Sequence, residues 1–594
     1  MAKDTKWQVK PKVPTQILDQ FPELPSLQVQ LLYNLGLVDS DRVDWFLNPD
    51  YHNLFDPFIF TDMETAVTRI WQAIESQQKI LIFADYDADA VTANSVLTQT
   101  FKYLDYPIES YIPDRFAEGY GLNLDAFKKF KEDGVDLVIT VDCGTNSCEE
   151  AKFCQDNGID LIITDHHEIT GNIPESFALI NPKNPNEVYP DKQITGVGVA
   201  YKLAKALLSK QEKVIKQKLI EPEQYLPEWD KWLLDLVAIG TVADCHSLLG
   251  ENRILVNFGL KVLQKTKWIG LRQLIENAGL DFSKRDPNTI DIGFKLAPRI
   301  NAAGRLEHAS VARNLLVSTD FAEAISLANQ IEEINRRRQD ITKRATSEAK
   351  EQVAAMPERK VLVVSDAAWP KGVVGIVAGR LAELYQKPAI VLEKGETEST
   401  GSARSIKGFD IVAALKHTGH LLIKFGGHQE AAGLTLSNDK FDQFYFELLK
   451  YAEVNYPEHD AQNLILEIDS ELSERDLSFD RYRAIESMEP FGAGNQQPKF
   501  LIDNCKVATI RTVGAEQNHL QMQLLVGDTK LDCIGFSMGY WEKRLQTGQL
   551  VSVVGELMVD TWNGTKKLKM RLIDIQIILE QKNDSTDQRQ STDY

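Results

Sequence analysis

The sequence predicts an α/β protein: a doubly wound parallel sheet, a long connecting helix, a second α/β unit and a C-terminal β-barrel. Three observations carry this. From Lys79 onward, short apolar runs (KILIFADYD, VDLVITVDCG, IDLIITDHHE) alternate with helix-length segments at 91–104 and 147–157, the pattern of parallel strands buried on both faces. From Thr319 a capping-type start, TDFAE, opens an amphipathic run to about Met356, with Phe321, Ile325, Ala328, Ile331, Ile334 and Ile341 on one stripe. VLVVSD (361–366) then begins the second α/β unit. From about Leu464 the texture becomes period-two alternation, as in HLQMQLLV and LVSVVGELMV, with an Asn563-Gly564 turn.

Length and charge bound the rest. A chain of 594 residues exceeds one core, and about 150 residues per domain predicts three or four domains. The expected boundaries are an N-terminal extension at 1–78, the first α/β domain at 79–255, a helical connector at 256–356, the second α/β domain at 357–455, the barrel at 456–580 and a disordered polar tail at 581–594. The aromatic-rich stretch WFLNPDYHNLFDPF marks the extension as packed rather than linker-like. No apolar run reaches membrane-spanning length and MAKDTKWQVK has no signal-peptide core, so a cytoplasmic location is expected. Six cysteines without a C-x-x-C pair read as free thiols. A net charge of −20 argues against non-specific coating of nucleic acid. It leaves room for a local basic groove and suits carboxylates gathered around divalent metal.

The strand ends carry the chemistry. Asp85 and Asp87 follow ILIFA, Asp142 follows LVITV, and Asp165 follows LIIT. Ligand sites of open α/β sheets lie beyond the carboxyl ends of the strands, so these residues are predicted to converge. DYDAD (85–89) is dense in like charge; it fits an exposed acidic turn or helix cap, but its place directly after a buried strand favours a bound cation. His166 and His167 stand in tandem behind Asp165 in a chain with only ten histidines. A neutral imidazole binds metal while a neighbouring carboxylate fixes its tautomer. Asp244, after LLDLVAIGTVA, adds another carboxylate. Oxygen ligands with a single imidazole suit Mn²⁺ or Mg²⁺ better than zinc. Two such ions about 3.5 to 4 Å apart activate water and stabilise the leaving oxygen in phosphoester cleavage.

DYDAD, VDCG, DHH and GTVAD, in this order, resemble the four motifs of the DHH phosphoesterase superfamily. PRINAAGR (298–305), GSARS (401–405), FGGHQEAAG (425–433) and PFGAGNQQPKF (490–500) ahead of a barrel narrow the resemblance, over roughly residues 75–580, to its single-strand-specific exonucleases, built from DHH, DHHA1 and OB-fold domains. The resemblance implies Asp85, Asp87, Asp142, His166 and Asp244 as metal ligands, with Asp142 bridging. It implies His167 facing the scissile phosphate, with Asp165 and Asp89 orienting ligands and water. It also implies a pocket for the strand's 5′ end, drawn from Arg115, Arg299, Asn301, Arg305, Ser402, Arg404, Ser405, Gly427 and His428. Glycine-freed amides beside arginine and serine can cradle a phosphate, although Gly426-Gly427 also fits a simple tight turn.

The implied activity is two-metal, 5′-to-3′ hydrolysis of single-stranded DNA to 5′ mononucleotides in repair and recombination, with two Mn²⁺ or Mg²⁺ ions and with a helicase and a single-strand-binding protein as partners. The alternatives are a DHH/DHHA1 phosphodiesterase acting on short oligonucleotides or cyclic dinucleotides, and an inactive scaffold. Residues 464–580 and the complete ligand set favour the exonuclease. The basic run NRRRQDITKR offers Arg336, Arg337, Arg338, Lys343 and Arg344 either as a solvated face or as a channel tracking a DNA backbone. Trp541, Phe536 and Trp562 can stack bases or fill the barrel, and Phe536, in the alternating LDCIGF, is expected in the core. Two departures from the family pattern are Ala90, where glycine is usual, and Pro370 after Trp369, where W-H-x-G is usual.

Overall fold

The computed structural model describes residues 5–119, 121–210, 228–456, 465–562 and 565–578. The chain divides into two compact units, one of Met1–Asn48, Asn463–Phe491 and Asn495–Tyr594, the other of Pro49–Gln462 with Gly492–Gly494. Strand β1 (Lys6–Val9) belongs to the first of these.

The larger unit opens with five parallel strands: β2 (Ile80–Ala84), β3 (Glu109–Tyr111), β4 (Leu137–Val141), β5 (Asp160–Thr164) and β6 (Ala178–Ile180), in the order β3-β2-β4-β5-β6. Every residue of β2 and β4 is buried, which is why these segments read as unbroken apolar runs. Helices Ala88–Tyr103 and Cys148–Asn157 supply two of the crossovers. From β2 the chain steps outward to β3 and returns on the other side to β4, so a crevice opens beyond the carboxyl ends of β2 and β4. Helices Gly196–Ser209 and Leu234–Ala243 pack against Ala88–Tyr103.

The connecting helix spans Phe321–Ala355, its start capped by Asp320, which accepts from the Glu323 amide at 2.7 Å. Its buried face runs through Ala324, Ala328, Ile331 and Ile334, whereas Phe321 and Ile325 are exposed. The expected stripe is therefore corrected in the first turns: small alanines meet the neighbouring helices there, one position round from the bulky residues. Beyond it lie β7 (Leu362–Asp366), β8 (Ala389–Lys394), β9 (Glu398–Arg404), β10 (Leu422–His428) and β11 (Ala431–Ser437), ordered β10-β11-β9-β8-β7, with β7 and β8 parallel and the other pairs antiparallel. Gly426-Gly427 lies within strand β10 rather than in a turn. Gly427 has φ +148°, and a Cβ there would meet the Ala431 carbonyl at 2.3 Å. Pro370 caps helix Lys371–Tyr385, a start it tolerates because the first amides lack helical partners. Trp369 is buried and donates Nε1–H to Glu348 at 2.7 Å.

In the other unit, β12 (Ile465–Ile468) pairs in parallel with β1. Strands β13 (Ser470–Glu471), β14 (Phe500–Val513), β15 (His519–Val526), β16 (Thr529–Gly535), β17 (Leu550–Trp562) and β18 (Thr565–Ile577) follow in the order β13-β14-β15-β16-β18-β17. A β14–β17 pairing closes five of them into an OB barrel. Trp7 donates to Asp574 at 2.9 Å and Lys10 pairs with Asp469 at 2.8 Å, fixing the N-terminal segment to this unit. Phe536 is 58% exposed, which corrects its expected core position. Alternation along β16 turns Leu531, Cys533 and Gly535 inward, so the next residue, Phe536, falls on the outside. Trp541 is buried. The Trp562 side chain, Asn563-Gly564 and the tail at 581–594 lie outside the described residues. The six cysteines are free thiols, and among the described residues no helix is long and apolar enough to cross a membrane.

Candidate metal centre

Three strand ends and one helix end meet at the crevice. Asp85 follows β2, and Asp87 caps helix Ala88–Tyr103, accepting from the Ala90 amide at 3.0 Å. Ala90 is an ordinary buried helical residue, so its methyl group does not disturb this turn. Asp89 is fully buried in the first turn and accepts from the Gly196 and Val197 amides at 2.9 and 3.0 Å. Asp142 follows β4 in a left-handed conformation, φ +60°, a strained backbone found often at functional sites. Asp165, His166 and His167 follow β5, and Asp244 ends helix Leu234–Ala243.

His166 is the hub. Its Nε2 lies 2.9 Å from Asp142 Oδ1, 3.7 Å from Asp244 Oδ2 and 3.8 Å from Asp89 Oδ2. The short contact to Asp142 is not aligned as a hydrogen bond, and Asp142 Oδ1, Asp85 Oδ1, Asp244 Oδ2 and His166 Nδ1 are all buried without a hydrogen-bonding partner among the described residues. Buried polar atoms in native proteins are almost always satisfied, so the unsatisfied Asp142 and Asp244 oxygens gathered near His166 Nε2 call for a cation.

Electrostatics separates the carboxylates into two kinds. Burial, reinforced by neighbouring carboxylates, pushes Asp85, Asp89 and Asp142 well above the usual carboxylate range and Asp244 up to about 7. Asp165 goes the other way. Burial opposes its charge, but His167 Nδ1 at 2.7 Å, the His166 and His167 amides at 2.7 and 3.2 Å and the Thr145 amide at 2.9 Å hold it well below that range. Its oxygens are taken up by donors. Burial and the neighbouring His167 keep His166 neutral, whereas the Asp165 contact outweighs burial and raises His167.

Sequence reasoning passed over three residues here. His246 Nε2 lies 3.3 Å from Asp244 Oδ2, and its ring centre is 4.8 Å from that of His166. A Cβ on Gly196 would sit 2.4 Å from Asp142 Oδ1, and one on Gly240 would sit 2.7 Å from Asp89 Oδ1, so both glycines admit the carboxylates. The signal was present in part: His246 is two residues past Asp244, and Gly196 opens a helix as TGVGVA.

The remaining candidates divide. Arg305, half-buried, is lowered to about 10 by desolvation and by the guanidinium groups of Arg115, Arg338 and Arg404, a like-charge gathering suited to an anion. Arg115 lies over the Tyr86 ring, 4.6 Å from its centre. Arg404 donates to Ser402 Oγ at 2.8 Å. Arg299 is instead tied to Glu332 at 2.7 Å, Asn301 Oδ1 accepts from the Ala88 amide at 2.9 Å, and Ser405 Oγ donates to the Phe409 carbonyl at 2.6 Å. Gly427 and His428 end the exposed face of β10. On the connecting helix, Arg336, Arg337 and Arg344 pair with Glu333, Glu307 and Glu348. Lys343 lines a groove with Thr346, Lys350 and Arg380.

Comparison with known proteins places this arrangement. Residues 79–241 match the DHH family N-terminal domain, 358–453 the DHHA1 domain and 468–574 the RecJ OB domain. Fold and site together define a multidomain DHH phosphoesterase. The chain is similar to the single-stranded-DNA-specific exonuclease RecJ of Bacillus subtilis, 38% identical over 97% of this chain and 71% of that protein. It is similar also to that of Thermus thermophilus, 31% identical over 86% of this chain and 71% of that protein. The crystal structure of the Thermus thermophilus RecJ in complex with Mn²⁺ superposes with a TM-score of 0.81 at 28% identity, covering 98% of this chain and 80% of that one. That of its Mg²⁺ complex gives 0.75 at 26% identity, covering 97% and 79%. The chain belongs to the RecJ family.

Proposed function

We propose that this chain is a metal-dependent exonuclease specific for single-stranded DNA, releasing 5′ mononucleotides in the 5′-to-3′ direction during repair and recombination. The observation that carries it is the buried, unsatisfied donor set of Asp85, Asp142, His166 and Asp244 at the sheet's switch point. Together with Asp87 these side chains would hold two divalent ions, Mn²⁺ or Mg²⁺, with Asp142 shared between them. When bound, such ions polarise the phosphoryl oxygen and lower the pKa of water for in-line attack. Asp89, held by the Gly196 and Val197 amides, keeps the helix ends in register beneath the ligands. Asp165 accepts from His167 Nδ1 and thereby sets the tautomer and angle of the ring. The same contact raises His167 and favours its imidazolium, whose Nε2–H would then face the scissile phosphate as a hydrogen-bond donor.

Polarity follows from the arginines. Arg115, Arg305 and Arg404, joined by Arg338, form the site for a terminal 5′ phosphate, with Ser402, Gly427 and His428 alongside. Arg299, Asn301 and Ser405 act by holding the surrounding backbone and side chains in place. The exposed ring of Phe536 offers a stacking surface for a base on the barrel. The RecJ OB-domain match over 468–574 disfavours a phosphodiesterase limited to short oligonucleotides or cyclic dinucleotides, and the complete donor set disfavours a decayed scaffold. We place domain boundaries at 79–255, 357–455 and 456–580, a cytoplasmic location, and a helicase and a single-strand-binding protein as the partners that expose and present the strand.

The test is direct. Purified protein with Mn²⁺ is expected to release mononucleotides from 5′-labelled single strands and not from duplex or 5′-blocked DNA, and Asp142→Ala is expected to abolish release while leaving circular dichroism unchanged. No mononucleotide release, or equal cleavage of all substrates, overturns the assignment.

A further inference from the structure

His246 is held at the metal cluster in the manner of a ligand, although none of the residues that define the proposed site includes it. Cys245, left-handed at φ +58°, folds the chain between Asp244 and His246 so that both side chains reach the cluster. His246 Nδ1 lies 3.0 Å from the Gln193 carbonyl. A carbonyl can only accept, so Nδ1 carries a proton, and in the neutral ring Nε2 then carries the lone pair. The carbonyl is itself pinned: Asn252 Nδ2 donates to it at 2.6 Å and to the Ser247 carbonyl at 3.1 Å. A backbone carbonyl that fixes the far nitrogen of a histidine is the usual support of a metal-bound imidazole.

The near nitrogen faces Asp244 Oδ2 at 3.3 Å, and that oxygen is buried with no hydrogen-bonding partner among the described residues. With the proton on Nδ1, the Nε2 lone pair and a carboxylate oxygen point into the same gap, a pairing of donor atoms that a bound divalent cation stabilises. His166 closes the group: its Nε2 is 3.7 Å from the same oxygen, and the ligand atoms of His166, Asp244 and His246 all lie within 4.8 Å of one another.

We infer that His246 Nε2 is an additional protein ligand to the divalent ion held by His166 and Asp244, an inference that rests on the metal-centre reading above. A second imidazole raises the nitrogen content of the site, and first-row transition ions gain more from nitrogen than Mg²⁺ does. The consequence is selectivity: this chain prefers Mn²⁺ over Mg²⁺ by a margin that His246 sets.

The experiment is a Mn²⁺ titration of the metal-free full-length protein followed by electron paramagnetic resonance, with nitrogen couplings read by electron-spin-echo modulation. Wild type, His246→Gln, His246→Asn and Asp142→Asn are compared, and Mg²⁺ affinity is obtained by competition. Both His246 variants keep an amide able to donate to Gln193, and circular dichroism selects the one that is folded. Expected are a loss of Mn²⁺ affinity of about tenfold or more, a Mg²⁺ change within about threefold, and a fall from two coupled imidazoles to one. Loss of Mn²⁺ in Asp142→Asn with unchanged affinity and two unchanged couplings in the folded His246 variant overturns the His246 assignment alone. Indifference of Mn²⁺ binding to all three substitutions overturns the metal centre itself.

Discussion

Asp142 and Asp165 stand one residue past neighbouring parallel strands, yet the structure gives them opposite characters. Asp165 accepts from three amides and an imidazole, so its charge is compensated within the protein. Asp142 and Asp244 leave buried, unsatisfied oxygens near His166 Nε2, and burial, with Asp87 adding repulsion, raises Asp244 to about 7. A carboxyl raised on folding binds its proton more tightly in the native state. Its penalty is absent below the unfolded value near 3.8, grows as pH rises toward 7, and is complete above it. Metal-free Asp244→Asn is therefore expected to be more stable than wild type at about pH 8 by up to a few kcal/mol. The difference is expected to shrink through pH 7 and to vanish near pH 4. Denaturant melts in a chelator across that range check it; with Mn²⁺ present at about pH 8 the order is expected to reverse, since only wild type gains the full binding energy.

At the scale of elements, the site exists because strand ends and helix starts approach within van der Waals limits. Helix Gly196–Ser209 begins against Asp142, and the first of its residues has no side chain to place in that gap. Gly196→Ala is expected to lower kcat by at least about 100-fold through displacement of Asp142, since misplacements near 1 Å cost that much. The helix itself is expected to survive, because alanine is the better helix former. Steady-state kinetics beside far-ultraviolet circular dichroism separates the two effects; wild-type kcat would show that Asp142 can shift without consequence. Strands β2, β4 and β5 were legible as apolar runs because both faces are covered, and their terminal carboxylates followed from that. Less legible were the positions where packing chose among equivalent patterns. Alanines rather than Phe321 and Ile325 face inward on the connecting helix, Phe536 falls on the outer face of its strand's alternation, and Gly426-Gly427 extends a strand instead of turning.

Across the whole chain, residues 1–48 belong with the barrel rather than with the sheet that follows them. Their strand β1 finds its ladder on β12, more than 450 residues away in sequence, and Trp7 and Lys10 bond to Asp574 and Asp469. A truncation ending at residue 456 is thus expected to leave the first 48 residues without partners and to be cleaved there by trypsin far faster than the full chain, while a chain of 49–456 is expected to resist. Mass spectrometry of the fragments decides it, and equal resistance of residues 1–48 in both longer forms would deny the pairing. What the sequence determined by itself was local and chemical: the buried parallel strands, the carboxylates and histidines at their ends, the long helix and the alternating barrel strands, because hydrophobic period and residue type are properties of short windows. Tertiary structure alone decided which atoms meet. That Asp165 is satisfied and Asp142 is not, that Arg305 gathers with Arg115, Arg338 and Arg404 while Arg299 is neutralised by Glu332, and that His246 turns back toward Asp244, all depend on distances between residues far apart in the chain, which no local pattern encodes.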